Sequence, residues 1–578
     1  MPVPREETQR KLAVLSAATL RHKPSQSYTV ADRFEERAAA HPERPFVRFE
    51  ERVVSYGELN ASANRIAHAA RELGVGRGDV AALAMENRPE FVATWLGLAK
   101  LGATTALLNT NLRGRPLAHA LAACAPVLVA AGAECAPALA EVARPVDLEA
   151  RAARMPDANP DPSVRDGLVA GDDLFQIFTS GTTGLPKAAR LSHMRWLGVG
   201  DGMSAVAGYG ADDVIACVLP LYHGAGGMVV VSSALAQGAA FLLRRRFSAS
   251  QFWDDARRHE VTGFQYIGEI CRYLLAQPPR RDDRDHRVRV MMGAGLGADV
   301  WREFQRRFGV ARILEGWSST EANTSLINLD GVAGSCGRIP FPELHNGRLV
   351  RFDVESERHP RDERGFLIEC KPGEVGEFIG AIPDLPDSGA GRFEGYSDAQ
   401  ATEQKILRGV FQAGNRWYRS GDLLRRDEDD YYYFVDRIGD TFRWKSENVS
   451  TQEVAEALGG FPGLLIANVY GVRVPGAEGR AGMAALSLVD PAAFDGRAFF
   501  AWAAERLPDY AAPLFLRLAR EADLTSTFKL RKVDLQREGY HPARARDPLF
   551  VRDEAARAYV ALDAASLARV GIPAFSDP

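Results

Sequence analysis

The chain reads as an α/β protein in two parts: a large N-terminal part of several subdomains and a small α+β C-terminal domain. Two observations predict this. From Asp172 onward, apolar runs recur directly ahead of glycine-containing turns, in DLFQIFTSG, DVIACVLPLYHG, TGFQYIGE, RVRVMMGAG and RILEGWSS, the pattern of strands that deliver the chain to ligand-binding loops. At 578 residues and 46% hydrophobic composition, the chain also exceeds what a single core holds, so several subdomains are required.

The first segment, residues 1–27, is basic and contains REETQRKLAVLSAATLRHK. Its apolar run from Leu12 to Leu20 is broken by Ser16 and Thr19, follows Glu6 and Glu7, and leads to no clean small-residue cleavage site, so a surface helix is expected rather than a secretion signal. From Tyr28 to about Glu141, helix-like stretches such as SYGELNASANRIAHAARELG alternate with the short apolar runs VAALAM and PVLVAA, which again reads as α/β. The stretch MVVVSSALAQGAAFLL, Met228 to Leu243, comes nearest to a membrane span. It falls short of the roughly 20 apolar residues a span needs, and its small polar residues suit a buried helix running into a strand. In SASQFWDDARRHE, Ser248 and Gln251 fit a capping box and Phe247 and Phe252 the positions of a hydrophobic staple, so a helix is expected to start there.

After Gly373 the pattern becomes strand-like, in GEVGEFIGAI and DDYYYFVDR, and after Arg437 a compact βα pattern begins with GDTFRWKSENVSTQEVAEALG. A domain boundary is therefore placed near Asp436. The organisation predicted is an N-terminal segment 1–27, a large domain 28–436 and a small domain 437–578. There is no internal repeat and no low-complexity tract.

Composition narrows the partners. The formal net charge is −4, from 71 basic and 75 acidic residues, which gives no reason to expect nucleic acid and favours small molecules. The six cysteines are scattered without a C-x-x-C pair, so neither a zinc site nor a disulfide framework is predicted and a reducing cytoplasm is the simplest compartment. Any membrane contact is expected to be peripheral. The sequence carries no signal of oligomeric state.

The most informative stretch is IFTSGTTGLPKAARLSH, Ile177 to His193. Successive backbone N–H groups in a glycine-rich turn converge on an anion, and Gly181 and Gly184 supply the backbone freedom. Thr179, Ser180, Thr182 and Thr183 add hydroxyl donors for phosphate oxygens and candidate ligands for Mg²⁺, and Lys187 adds a mobile positive charge. The loop is suited to polyphosphate. It differs from the G-x-x-x-x-G-K-[ST] loop, because Lys187 follows Pro186 and no hydroxyl residue follows the lysine.

TSGTTGLPK resembles the phosphate loop of the adenylate-forming superfamily, which comprises acyl-CoA synthetases, luciferases and peptide-synthetase adenylation domains. LPLYHGAG (219–226), EGWSSTE (315–321), YRSGD (418–422) and TSTFK (525–529) follow in the order and spacing of that superfamily. Within it, FQYIGEICRYLL, DRIGDTFRWKSENVST, VYGVRVPGAEGRAGMAAL and ARDPLF resemble the fatty acid transport protein and very-long-chain acyl-CoA synthetase branch, over about Tyr28 to Asp563.

The resemblance implies the adenylate-forming fold, with ATP, Mg²⁺ and coenzyme A as cofactor and co-substrates and a fatty acid as the acid. It implies that Thr179 to Lys187 hold the β- and γ-phosphates and that Thr179 and Glu321 ligate Mg²⁺, a role that also suits a hard carboxylate oxygen. It sets Gly293, Ala294 and Gly295 beside adenine, with Glu315, Gly316 and Trp317 completing that pocket and Thr320 next to it; Trp317 stacks on the base or fills core. Asp422 has two acceptor oxygens suited to paired ribose hydroxyls. His223 stands beside the acyl carboxylate or serves structure. Lys529 is the residue implied to neutralise charge shared by carboxylate and α-phosphate. Because it lies on the small domain, that domain is expected to close for adenylation and to turn for thiolation, about a hinge at Arg437 and Gly439, with Lys445 serving the second step.

Four positions depart from the superfamily pattern. Ser318 and Ser526 replace glycines, and Ser446 follows Lys445 where a glycine is usual, which adds bulk where a pantetheine arm would pass. Gly439 stands where many relatives carry a charge. Segments 228–235 and 263–275 are apolar and next to the reaction motifs, as an acyl tunnel or as core. The activity implied is a long-chain or very-long-chain fatty acyl-CoA synthetase. The alternatives are an acyl-AMP ligase feeding a carrier protein, a ligase for a ring-bearing acid such as a sterol or bile acid, and, in another class, a fatty acid uptake or binding protein.

Overall fold

The computed structural model describes residues 3–180, 186–354, 356–445, 447–477, 479–522 and 530–573. The chain divides into two compact units. The first comprises Met1–Arg348, Ile379–Ser420 and Asp429–Tyr431; the second comprises Leu349–Phe378, Gly421–Glu428 and Tyr432–Pro578. The second unit thus draws on two earlier segments as well as on the residues that follow the boundary read near Asp436.

The apolar runs of the first unit become the strands of two sheets. In the eight-stranded sheet the order is Leu326–Ile327, Arg312–Trp317, Val290–Ala294, Gly263–Ile267, Val214–Cys217, Ala240–Leu243, Pro45–Phe49 and Arg52–Ser55. Its interior pairs are parallel and its two outer pairs antiparallel. The five-stranded sheet runs Leu128–Ala131, Val80–Ala84, Thr104–Leu107, Asp173–Ser180 and Pro186–Ser192. Interior parallel strands are covered on both faces, which is why they read as unbroken apolar runs.

Helices fill the space beside these sheets. Tyr56–Glu72 starts on a capping box in which Ser55 accepts from the Glu58 N–H and Glu58 reaches back to the Ser55 N–H, satisfying donors that a helix start leaves open. Pro89–Lys100 is buried along its length, and its Trp95 meets Phe175 and Trp196 edge-on at ring-centroid distances of 5.1 and 5.6 Å. Val231–Gln237 runs into Ala240–Leu243, the buried helix and strand expected of Met228 to Leu243.

The N-terminal segment forms a helix, Arg5–Thr19, seated closely on the helix His193–Ala207: a Cβ at Gly202 would lie 2.1 Å from the Thr19 hydroxyl oxygen. Lys11 Nζ and Thr8 Oγ1 both donate to the buried Asp330, at 2.8 and 2.5 Å. This helix is packed and anchored, not a bare surface element.

One helix start differs from the sequence expectation. The helix after Phe247 runs Phe252–Arg258 and has no side-chain cap. Ser248 Oγ pairs with Ser250 Oγ, and Gln251 Oε1 accepts from Arg244, so both capping-box side chains are engaged elsewhere. The staple pair does meet, Phe247 and Phe252 lying 6.4 Å apart by ring centroid.

The second unit holds a five-stranded sheet, in the order Leu464–Val472, Ala481–Leu488, Phe515–Leu518, Leu549–Asp553 and Ala558–Ala561. Every residue of Ala481–Leu488 is buried, with one apolar cluster around Phe442, Phe499 and Tyr559 and another around Tyr470, Phe515 and Leu567. The hairpin Phe442–Trp444 and Glu447–Val449 turns at Lys445, which holds φ +51°. A further six-stranded sheet includes the antiparallel strands Arg416–Arg426 and Tyr431–Arg437.

Candidate active site

The strand Asp173–Ser180 carries the phosphate-loop sequence toward its glycines, and Pro186–Ser192 brings it back antiparallel, with Thr179 opposite Lys187. Gly181, Thr182, Thr183 and Gly184 lie outside the described residues, as does the side chain of Ser180. On the described side of the loop, Thr179 and Glu321 both lie close to one phenol, that of Tyr396. Burial, with the Glu321 carboxylate beside it, pushes the Tyr396 phenol well above its ordinary range. The phenol therefore stays protonated. Lys187 Nζ lies 5.9 Å from the centre of the same ring.

Glu321 is 8% exposed. Lys405 Nζ stands 3.8 Å from its Oε1 and donates to the Ser420 carbonyl at 3.0 Å. The residues gathered here are hard oxygen donors and ammonium groups, a set suited to polyphosphate with Mg²⁺ held by few protein oxygens. Among the described residues, no group of three or more His, Cys, Asp or Glu is arranged to hold a metal.

Beside this cluster lies the strand end Val290–Ala294. Tyr266, Gly293 and Glu315 sit in register on three adjacent strands, and a Cβ at Gly293 would lie 2.2 Å from the Tyr266 carbonyl oxygen. Glycine is thus required there by the neighbouring strand. Ala294 and Gly295 are exposed at the strand end. Glu315 is buried, and its carboxyl is committed to the protein: it accepts from the Gly295 N–H at 2.6 Å, the Leu296 N–H at 3.2 Å and the Tyr266 hydroxyl. Burial pushes the Glu315 carboxyl up to about 8, against the Tyr266, Leu296 and Gly295 donors, which pull it down. Glu315 therefore shapes the loop that borders the exposed strand end. Gly316 is half-buried and Trp317 buried, opposite Ile327 and Leu326.

His223 caps a π-helical turn, Gly224–Val230, its Nδ1 accepting from the Ala225 N–H at 3.3 Å; such turns recur at functional sites. Thr320 reaches the same turn, its hydroxyl oxygen lying 3.7 Å from where a Gly224 Cβ would stand. Of the two segments read as tunnel or core, Val230, Val231, Leu235, Ile270 and Leu274 are core, while Met228, Val229, Ile267 and Tyr273 are half-buried.

In the second unit, Asp422 and Arg437 are direct partners across antiparallel strands. The residue before Asp422 is held from below: Glu377, 0% exposed, accepts from the Gly421 N–H at 2.8 Å and meets His359 Nε2 at 2.7 Å. Beyond Arg437, Asp436 accepts from the Thr451 N–H and hydroxyl, and Lys532 joins Thr451 at 2.6 Å and Asp440 at 3.2 Å. Lys445 is exposed. Lys529, Ser446 and Ser526 lie outside the described residues. Motif reading named Thr179, Lys187, Glu321 and Asp422 and did not name Tyr396, Lys405, Glu377 or His359, which the structure places around them. The sequence carried one signal for this second group, a lone carboxylate in the apolar strand GEFIGAI.

Among the described residues no helix is long and apolar enough to cross a membrane. The family model "AMP-binding enzyme" matches residues 34–369. The chain is 39% identical over 556 residues to long-chain fatty acid transport protein 6 of Mus musculus, covering 92% of this chain and 89% of that one. It is 40% identical over 543 residues to the medium/long-chain-fatty-acid–CoA ligase FadD6 of Mycobacterium tuberculosis, with the same shares covered. Its fold matches a benzoate CoA ligase from Burkholderia xenovorans with a TM-score of 0.73 at 20% identity, over 88% of this chain and 100% of the other. The chain belongs to the AMP-binding enzyme family, on the branch of the long-chain fatty acid transport proteins and their ligase relatives.

Proposed function

We propose that this protein is an ATP-dependent long-chain or very-long-chain fatty acyl-CoA synthetase. The observation that carries the proposal is the convergence of Thr179 and Lys187, from the phosphate loop, and Glu321, from a motif far off in sequence, on the single side chain Tyr396. The relatives named as fatty acid transport proteins and as a fatty-acid–CoA ligase support the choice of acid.

A carboxylate is a poor acyl donor because its leaving group would be oxide. In the first step its oxygen bonds to the α-phosphorus of ATP, the bond to the bridging oxygen breaks, and diphosphate leaves. In the second, a thiol sulfur bonds to the acyl carbon, the acyl–oxygen bond breaks, AMP leaves, and the thiol proton is released. Little covalent chemistry falls to the protein, which aligns groups and neutralises charge. Lys187, with the loop Ser180 to Gly184, grips the β- and γ-phosphates. Thr179 and Glu321 would hold Mg²⁺, which supplies further neutralisation of the triphosphate when bound. Tyr396 packs beside both Thr179 and Glu321.

Ala294, Gly295 and the backbone of Gly316 border the base, kept in shape by Glu315, with Trp317 behind them and Thr320 beside the triphosphate. Asp422 accepts from the ribose hydroxyls, beside Arg437. His223, Met228 and Val229 face the acyl end. Lys529, on the domain 437–578, neutralises the charge that builds between carboxylate and α-phosphate; Arg437 and Gly439 are its hinge, and Lys445 serves the thiolation step. Any association with a membrane is peripheral.

The test follows diphosphate release and thioester formation in parallel on purified protein with ATP, Mg²⁺, coenzyme A and fatty acids from medium to very long chain. Both products rise together if the proposal holds. Diphosphate without thioester points to another acyl acceptor, and fatty acid binding with neither product overturns the enzyme reading.

A further inference from the structure

Asp422 stands directly after a break in its strand, and the group that supports the break comes from a neighbouring strand. Arg416–Arg426 lies between Tyr431–Arg437 and Val375–Ala381. At Gly421 its backbone turns to φ +82°, a left-handed conformation that glycine adopts at no steric cost. Beyond the turn, Asp422 pairs with Arg437 and Leu423 with Asp436, and the register slips before Leu424. The Gly421 carbonyl accepts from the Ile438 N–H at 2.8 Å. Its own N–H donates to a side chain, Glu377 Oε1, also at 2.8 Å.

Glu377 is fully buried, between the buried residues Gly376 and Phe378 of an apolar strand. A carboxyl there is costly unless it is hydrogen-bonded, and its second oxygen, Oε2, lies 2.7 Å from His359 Nε2. His359 is held in turn. Its ring meets Phe352 edge-on at a centroid distance of 5.2 Å, on a hairpin closed by the backbone pair of Asp353 and Arg358. All of these residues belong to the second unit.

A side chain that only filled this strand would be apolar, like its neighbours. A glutamate that reaches across to the N–H just ahead of Asp422 sets the angle at which the chain leaves the turn, and with it the direction of the Asp422 carboxylate. We propose that Glu377, oriented by His359, is a positioning residue for Asp422, and that the preference for nucleotides bearing both ribose hydroxyls depends on this pair acting through the backbone at Gly421. The proposal rests on the reading of Asp422 as the acceptor for those hydroxyls. Its signature is selective: losing the pair removes the preference for ribose and leaves the grip on the triphosphate as it was.

The test is equilibrium binding of ATP, 2′-deoxy-ATP and 3′-deoxy-ATP, each with Mg²⁺, to the full-length protein and to Glu377→Leu, Glu377→Gln, His359→Leu and Asp422→Ala. The wild type should bind ATP at least about tenfold more tightly than either deoxynucleotide, the scale of one hydrogen bond to a charged group. Glu377→Leu suits the apolar strand; it should cut that preference to about threefold or less while binding the deoxynucleotides within about twofold of the wild type. Glu377→Gln keeps an acceptor for the Gly421 N–H and should hold the preference within about twofold of the wild type, whereas His359→Leu should lower it by about threefold. A wild type without the preference, an undiminished preference in Glu377→Leu, or equal weakening of all three nucleotides overturns the proposal. Should a urea titration show that Glu377→Leu does not fold, His359→Leu decides by the same criteria. Asp422→Ala separates the two readings: if it keeps the preference, the acceptor role of Asp422 fails and the positioning role with it, and if it loses the preference while Glu377→Leu keeps it, the positioning role alone fails. Binding is read without turnover, so an absence of thioester would count against the ligase reading and not against this one.

Discussion

Glu315 and Glu321 lie six positions apart in one segment, both buried, and they have opposite surroundings. Glu315 faces inward and spends its oxygens on two backbone N–H groups and the Tyr266 hydroxyl. Glu321 faces a phenol, an ammonium and, through Tyr396, the phosphate-loop threonine. Burial alone does not distinguish a carboxylate that shapes a site from one that serves in it. The partners do: backbone donors tie Glu315 to the fold, whereas Glu321 is surrounded by side chains, the Tyr396 phenol and the Lys405 ammonium.

The largest effect that tests this contrast is on catalysis. Glu321→Ala is expected to lower adenylate formation by on the order of a hundredfold or more, the usual scale for removing a group that organises transition-state charge, while leaving the unfolding midpoint nearly unchanged. ATP–diphosphate exchange beside a urea titration reads both. A variant that keeps exchange within twofold, or unfolds far earlier than the wild type, would give Glu321 the role assigned here to Glu315.

Glu315→Ala should show the reverse. It leaves the Gly295 and Leu296 N–H groups and the Tyr266 hydroxyl facing a hole, at about 1–3 kcal/mol for a buried donor left without a partner. The pH dependence carries a sign. The folded-state carboxyl is raised from 4.5 to about 8, so the folded protein holds this proton where the unfolded chain has released it. The stability contributed is complete below the ordinary carboxyl range and is lost as pH rises through about 8. Glu315→Gln keeps an acceptor and removes the titration. Wild-type stability measured relative to Glu315→Gln should therefore decline between pH 5 and pH 9, and a flat difference would mean that the folded carboxyl titrates as it does in the unfolded chain.

Much of the frame was legible because physics writes it redundantly. Parallel strands covered on both faces show as runs such as RVRVMMGAG, and the runs named from Asp172 onward became Asp173–Ser180, Val214–Cys217, Gly263–Ile267, Val290–Ala294 and Arg312–Trp317. The capping box at Ser248 failed because a three-residue spacing says nothing about competing partners, and Arg244 took the Gln251 side chain. Tyr396 and Lys405 were invisible for a related reason. They come from FEGYSDAQATEQK, whose spacing encodes no chemistry of its own, and tertiary packing alone brings them to Glu321. Glu377 was the opposite case, a charge in an apolar strand whose burial itself asks for partners.

Tyr396→Phe sharpens the contrast on a smaller scale. It keeps the ring that Lys187 approaches and removes the hydroxyl that lies beside Glu321 and Thr179. Both of their oxygens remain. A fall of about tenfold in kcat, the worth of one hydrogen bond to a charged group at about 1.5 kcal/mol, with stability unchanged, is the expected outcome. An unaffected kcat would make Tyr396 a spacer.

The smallest effect belongs to Lys405. Its ammonium is 3.8 Å from Glu321 and about a quarter exposed, a pair worth no more than about 1 kcal/mol by itself. If Lys405 only balances Glu321, Lys405→Met should change the KM for ATP by less than about fivefold, the equivalent of that energy, and leave kcat alone. If instead it swings from Glu321 to meet the triphosphate, kcat should fall with KM, and high salt should no longer weaken ATP binding in the variant as it does in the wild type. The split between kcat and KM thus decides whether the ring of partners around Glu321 is a resting cage for one carboxylate or part of the grip on the substrate.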